Sequence, residues 1–535
     1  MGLIEAMTEK DSYTQNGALT NSTSHNFNLD LFFLAGACRN ESVENIEKIL
    51  VKSYAYNRVK TLKIIFYTGD IREGAGERRF FSIALNWLYQ NHREDLYSYL
   101  ENIPEFSRWD VLFQFKDDKV LDYIIKNFKA GNSLLCKWLP RKITRFDKHK
   151  VFLKPEIKGT LNTFEELPKK AKEKEAYFIK SLDCNYAYIK DEWVKLSEDR
   201  SEGIEYFYTV KSYRNVKGKY AEVLLAKLGW SPRVYRKHLV KYTNVVEQKM
   251  CSKSWGDIEY SHVPSVAMHK YNKAWYRNDK DRFEQYLESV KKGESKINAG
   301  AIFPHDIIGQ AVGYNSCRSL TQAEIVQWEN LPDYMTDYSI LPICDTSASM
   351  TWYQNALAMK ISLALGLYIS ERNKGIFKDA FITFSQNPKM QYLKGNINER
   401  ITQLCRQDFC GNTDIEGVFD EILSKAKQNN LPESDMPRSV LIISDMEFDE
   451  GTTGTYTSHE VIVEKYRQAG YRCPNLIYWN VNGHVGNVPV TKNDYGAALI
   501  SGASPSILKA VLTDNVSPEK IMDSVIERER YQFIV

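Results

Sequence analysis

What this 535-residue chain lacks narrows its reading first. It contains no run of about eighteen apolar residues, so no transmembrane helix is expected. The N-terminus, MGLIEAMTEKDS, has neither the basic nor the apolar stretch of a signal peptide, and Ala6 stands where a myristoylation motif needs Ser or Thr. Nine cysteines, odd in number and scattered, do not form a disulfide framework. No C-x-x-C occurs, and Cys405 with Cys410 has no matching pair, so a zinc centre is not expected. These absences point to a soluble chain with reduced thiols in the cytoplasm and no membrane partner.

Catalytic signatures are missing as well. There is no G-x-x-x-x-G-K-S/T, no G-x-G-x-x-G and no G-x-S-x-G. His459-Glu460 opens like a zinc-protease H-E-x-x-H but lacks the second histidine. Asp445-x-Glu447-x-Asp449 resembles the start of a calcium loop, yet Gly451 falls one place late and Tyr456 replaces the closing glutamate. His305-Asp306 has the composition of a general-base pair but reads better as a helix cap. No enzyme is expected.

What is present is ordinary globular composition: 43% hydrophobic and 26% charged, long enough for two or more domains. The net charge of +3 hides an asymmetry. From Tyr338 onward 19 Lys and Arg face 23 Asp and Glu, a net of −4, which leaves +7 for the 337 residues before it. That bias is too small for a dedicated nucleic-acid-binding tail.

The most informative stretch is SILPICDTSASMT, Ser339 to Thr351. Ile340, Leu341, Ile343 and Cys344 make an apolar run too short for a helix, the pattern of a strand buried on both faces. It stops on Asp345, and Ser347 and Ser349 follow at alternate positions. Hard oxygen ligands leaving the carboxyl end of a strand suit Mg²⁺ or Mn²⁺. The plain alternative is a strand-to-helix turn with serine as cap. Two later loops offer partners: Thr413 opens a strongly amphipathic helix, and a second buried-strand pattern, Ser439 to Ser444, ends on Asp445.

This trio resembles the metal-ion-dependent adhesion site of von Willebrand factor A domains, D-x-S-x-S followed by a threonine and a later aspartate. The resemblance implies that Ser347 and Ser349 would bind the ion directly, Thr413 directly or through water, and Asp345 and Asp445 mostly through water. It also implies an open coordination position suited to a carboxylate from an acidic protein partner. Strands alternating with helices from 338 to 535 predict a doubly wound, mostly parallel sheet.

The first half reads otherwise. Residues 1–27 are polar and suggest a loose arm. Helical periodicity then runs through 43–56, 58–67, 80–90, 118–129, 220–228, 232–250 and 282–291, with no strand signal, which predicts a helical-repeat domain over 28–337. Residues 148–220 are the least legible.

The phrases GDIREGAGERR, SRWDVL, KWLPR, VPSVAM and INAGAIFPHDII resemble those of an uncharacterised two-domain family of plants, microbes and viruses, a distant relative of the Ro (TROVE) ribonucleoprotein autoantigens. That resemblance implies HEAT-like helices, closing into a ring around single-stranded RNA ends, joined to a von Willebrand factor A domain. The residues offer two basic clusters with aromatic neighbours: Lys137, Trp138, Arg141, Lys142 and Arg145, and then Arg233, Arg236 and Lys237. Such mixtures suit single-stranded nucleic acid, where charge tracks phosphates and rings stack on bases. The competing reading is a solvated helix face with Trp138 and Tyr235 in the core. The function expected is RNA binding beside a Mg²⁺-dependent partner site; the alternative is a protein-interaction or structural module, such as a viral particle component.

Overall fold

The computed structural model describes residues 12–140 and 216–535, except 314–315, 336–338, 352–355, 384–387, 389, 407–412, 451–455 and 514–515. Between 156 and 208 it describes the backbone of five short strands. No described helix is long and apolar enough to cross a membrane.

The chain divides into two compact units, Met1–Arg108 with Val245–Val535, and Trp109–Asn244. The division does not fall at 337/338. The reason lies in how the early helices bury their apolar stripes: they pack on the sheet-containing region rather than only on one another.

In the larger unit six strands form one sheet: β1 (Ile340–Cys344), β2 (Ala380–Thr383), β3 (Met390–Tyr392), β4 (Ser439–Ser444), β5 (Asn475–Asn480) and β6 (Ala497–Ser501). Their order is β3-β2-β1-β4-β5-β6, with only β3 antiparallel. β1, β4, β5 and β6 are buried along their whole length, as parallel strands covered on both faces must be. Helices follow β1 and lie before and after β4, at Leu357–Arg372, Ile415–Gln428 and Ser458–Ala469; the last of these was not expected from the sequence. Gly366 lets the first of them lie close on the sheet: a Cβ there would meet Cys344 Sγ at 2.1 Å.

The helices Phe27–Ala35, Val43–Tyr56, Arg58–Gly69 and Arg78–Asn91 belong to the same unit. Lys60 pairs with Asp523 at 2.7 Å, and the buried Lys63 pairs with Glu527. The turn GDIREGAGERR is a structural knot. Asp70, entirely buried, accepts from Arg530 at 3.0 Å, from the Tyr531 hydroxyl at 3.1 Å and from the Arg72 N–H at 3.0 Å. Gly74 closes the turn so tightly that a Cβ would meet the Tyr67 carbonyl oxygen at 2.0 Å. Arg79 donates to the carbonyls of Cys38 (2.8 Å) and Glu41 (2.6 Å).

Three expectations are corrected. Residues 12–24 are not loose: Thr14 donates to the Phe448 carbonyl at 2.6 Å, and the N–H of Asn21 to the Val488 carbonyl at 3.1 Å. Apolar periodicity missed this segment because it is held by polar and backbone bonds. The helical domain also contains strands: Glu156–Leu161 pairs with Ile204–Tyr208, while Tyr177–Lys180, Asn185–Ile189 and Glu192–Leu196 form a meander. The single helix expected over 232–250 is two, Pro232–Tyr242 and Val246–Cys251.

The knot generates a stability prediction. Arg530→Ala strands a buried carboxylate without its ion partner and should cost about 3–5 kcal/mol. Tyr531→Phe, which removes one neutral donor, should cost about 1 kcal/mol. Urea unfolding monitored by circular dichroism measures both, and equal effects would contradict this ranking.

Candidate functional site

Parallel pairing of β1 with β4 sets Cys344 beside Ile443, and the N–H of Asp345 donates to the Ile443 carbonyl at 3.0 Å. The two strands therefore release Asp345 and Asp445 side by side. This is where the strand order reverses, the place at which open α/β sheets bind ligands.

The next turn folds back on the first carboxylate. The Ser347 N–H donates to Asp345 Oδ1 at 2.8 Å, and the Ser444 hydroxyl donates to Oδ2. Ser347 Oγ lies 3.1 Å from Ser349 Oγ, and the Ser349 hydroxyl bonds the Asp445 carboxylate. Thr413 joins through Asp449: its N–H donates to Asp449 Oδ2 at 2.8 Å, and its carbonyl accepts from the Asp449 N–H at 3.2 Å. Asp345, Ser347, Ser349 and Asp445 form one bonded cluster, and Thr413 is tied to the loop that carries Asp445. Only Ser349 is appreciably open to solvent.

Burial, together with the neighbouring Asp345 charge, pushes the Asp445 carboxyl well above the usual carboxylate range. Asp345 is also raised, by burial opposed by the Ser444 and Ser347 bonds. Asp449 is raised by burial, with Asp414 adding to it. Two buried carboxylates side by side need a proton or a cation between them. The donors are hard oxygens, and three of the five are hydroxyls, so the set fits Mg²⁺ or Mn²⁺. No three His, Cys, Asp or Glu side chains gather into a metal-holding group among the described residues.

Sequence reasoning missed several participants. Ser444 is the last residue of a buried strand and carries no signal of its own. Glu447 accepts from the Gln15 N–H at 2.6 Å, and its carbonyl accepts from Asn16 Nδ2 at 2.7 Å, bonds spanning over 400 residues. Arg39 and Asn40 line a small pocket with Ser349, Val481 and Asn482. Arg39 is held there by Glu77 at 2.9 Å and the Val481 carbonyl at 3.3 Å. The histidines set aside above have other roles. His459 Nδ1 sits 3.0 Å from the Tyr478 hydroxyl in the core, while Asp306 caps its helix by accepting from the Phe303 N–H at 3.0 Å. His305 is pushed down to about 4 by burial.

The basic residues lie in the smaller unit. Lys137 and Trp138 are half-buried at the end of the helix Ser133–Trp138, with Lys137 Nζ 5.5 Å from the Trp138 ring. Arg141, Lys142 and Arg145 lie outside the described residues. Arg233, Arg236 and Lys237 are exposed on the helix Pro232–Tyr242. Tyr235 is core, as the plainer reading held, and its hydroxyl donates to the Pro140 carbonyl at 2.9 Å. That bond brings the two basic segments together. Beside them stand half-buried rings: Trp230 to His238 at 5.2 Å and His238 to Tyr242 at 4.5 Å.

Residues 339–532 match a domain of unknown function (DUF7788), and residues 14–111 and 210–340 match another (DUF2828). The uncharacterized protein L728 of Acanthamoeba polyphaga mimivirus is 28% identical over 331 residues. That alignment covers 57% of each chain, so this chain spans little more than half of that relative's length. Among solved structures, the Deinococcus radiodurans RO (RSR) protein aligns over 95% of this chain and all of its own. The identity is 12% and the TM-score 0.36, a superposition too loose to carry any residue or ligand across.

The cluster generates a two-part prediction. With divalent ions removed, Asp445→Asn should unfold at the same temperature as the native chain or higher, because one of two crowded charges is gone. Mg²⁺ at about 100 times its Kd should add about 2.7 kcal/mol to the native chain and nothing to the variant. Thermal unfolding in EDTA and in Mg²⁺ reads both, and an equal Mg²⁺ gain in the two proteins would contradict the assignment.

Proposed function

We propose that the chain is a binding protein that takes single-stranded RNA on its smaller unit. The observation supporting this is the Tyr235–Pro140 contact, which places the helix bearing Arg233, Arg236 and Lys237 against the segment that leads from Lys137 and Trp138. No carboxylate pairs with Arg233, Arg236 or Lys237 among the described residues. Lys241, one turn on from Lys237, lies 5.0 Å from the Tyr242 ring, so one ring borders the cationic face. Cations on that face neutralise phosphates without reading sequence, and partly open rings stack on any base.

In this reading the Asp345–Asp445 edge is a separate Mg²⁺ site. Ser347, Ser349 and Thr413 would supply hydroxyl ligands, and the two aspartates would hold the ion through water. Such an ion would supply a positive centre for an anionic group, so this edge suits binding better than catalysis. A second reading, an interaction module gripping a partner's acidic side chain, is favoured by the half-open Ser349 with Arg39 in the same pocket. The buried thiols Cys38, Cys136 and Cys344, which form no disulfide, fit a cytoplasmic setting.

Fluorescence anisotropy with a short unstructured RNA tests the first reading. Affinity should fall with salt at a log–log slope of about −0.7 per phosphate contact. Replacing Arg233, Arg236 and Lys237 together by alanine should make that slope shallower by roughly 2. Unshifted RNA at low ionic strength would overturn the RNA reading. Capture of an aspartate-containing partner that EDTA and Ser349→Ala both abolish would then establish the second.

A further inference from the structure

A separate cavity of about 380 Å³ opens in the larger unit, between the helix Val43–Tyr56 and the segment 484–488 that follows β5. Its volume falls within the roughly 300–1,000 Å³ of small-molecule sites. Its position agrees: Asn480, the last residue of β5, lines it, which puts the cavity at the carboxyl edge of the sheet, one strand beyond the aspartate pair.

The lining divides by chemistry. Phe33, Leu34, Ile49 and Val488 give an apolar interior, and the exposed Val485 stands at its edge. Lys48 and Lys52 stand on successive turns of one helix at its mouth. The single carboxylate in the lining, Asp30, is buried and already engaged by the Ser24 N–H at 2.7 Å and the Thr23 hydroxyl. Lys48 has an exposed partner in Glu44 at 2.9 Å, a surface pair that a ligand can displace at little cost. Lys52 has no carboxylate partner among the described residues, and its Nζ lies 5.7 Å from the Phe27 ring. Asn45 and His484 add polar edges, both turned toward Glu41: Asn45 Nδ2 donates to it at 2.9 Å, and His484 Nδ1 lies 3.9 Å away.

We propose that this cavity binds a small organic anion: an apolar, ring-sized body inside, with one negatively charged group held by Lys48 and Lys52. The site is independent of the Mg²⁺ and RNA readings. It uses none of their residues.

The test uses the full chain and two probes of one shape class, the aromatic sulfonate 8-anilinonaphthalene-1-sulfonate and its uncharged relative N-phenyl-1-naphthylamine. The sulfonate should brighten on binding and saturate at one molecule per chain. Lys48→Gln with Lys52→Gln should weaken it by about tenfold and leave the uncharged probe unchanged. Val51→Trp, at a lining position 54% exposed and therefore tolerant of a larger ring, should block both probes. Absent or unsaturable sulfonate binding would overturn the proposal, and so would binding that Val51→Trp leaves intact. Equal affinity of the native and double-glutamine chains for the sulfonate would overturn the anionic class.

Discussion

Two buried like charges set the terms for the larger unit. Once β1 and β4 pair in parallel and in register, Asp345 and Asp445 must emerge together into a space with almost no water. The surroundings answer with donors: Ser444 and the Ser347 N–H on one carboxylate, Ser349 and the Glu447 N–H on the other. Those bonds lessen the conflict without removing it, since both carboxyls remain raised. Packing alone gives no reason to keep such a pair, because an apolar pair of the same volume would be no less stable. A ligand ion does.

The arm at residues 12–24 follows from the same edge. The loop after Asp445 exposes backbone carbonyls and Glu447, and the arm satisfies them through Thr14, Gln15 and Asn16. The helices from 27 to 91 then continue onto the sheet region and are tied to its last helix by Lys60–Asp523 and Lys63–Glu527. The chain's end returns to the beginning at the Asp70–Arg530 pair. These tie the early helices to the sheet region as one unit.

What the sequence made legible is what rests on local pattern. Ser439–Ser444 ends where its apolar run ends, and Asp118–Lys129 keeps the bounds its periodicity predicts. The D-x-S-x-S spacing and the second aspartate identified the cluster because each sits directly after a buried strand. Long-range polar contacts stayed hidden: no pattern around Asn16 points to Glu447, and none around Arg39 points to Ser349. The unit boundary was hidden for the same reason, because amphipathic helices look alike whether they cover a helix or a sheet. The strands between 156 and 208 are only four to six residues long, so alternation gave little signal there.

The central claim, that the aspartate–serine edge holds a divalent ion, is tested most directly by growing crystals of the full chain with MnCl₂ and computing an anomalous difference map. The account predicts one strong peak about 2.0–2.6 Å from the hydroxyl oxygens of Ser347 and Ser349, with Asp345 and Asp445 around it. A map with no peak at that edge, or with manganese bound only at surface carboxylates elsewhere, would contradict it.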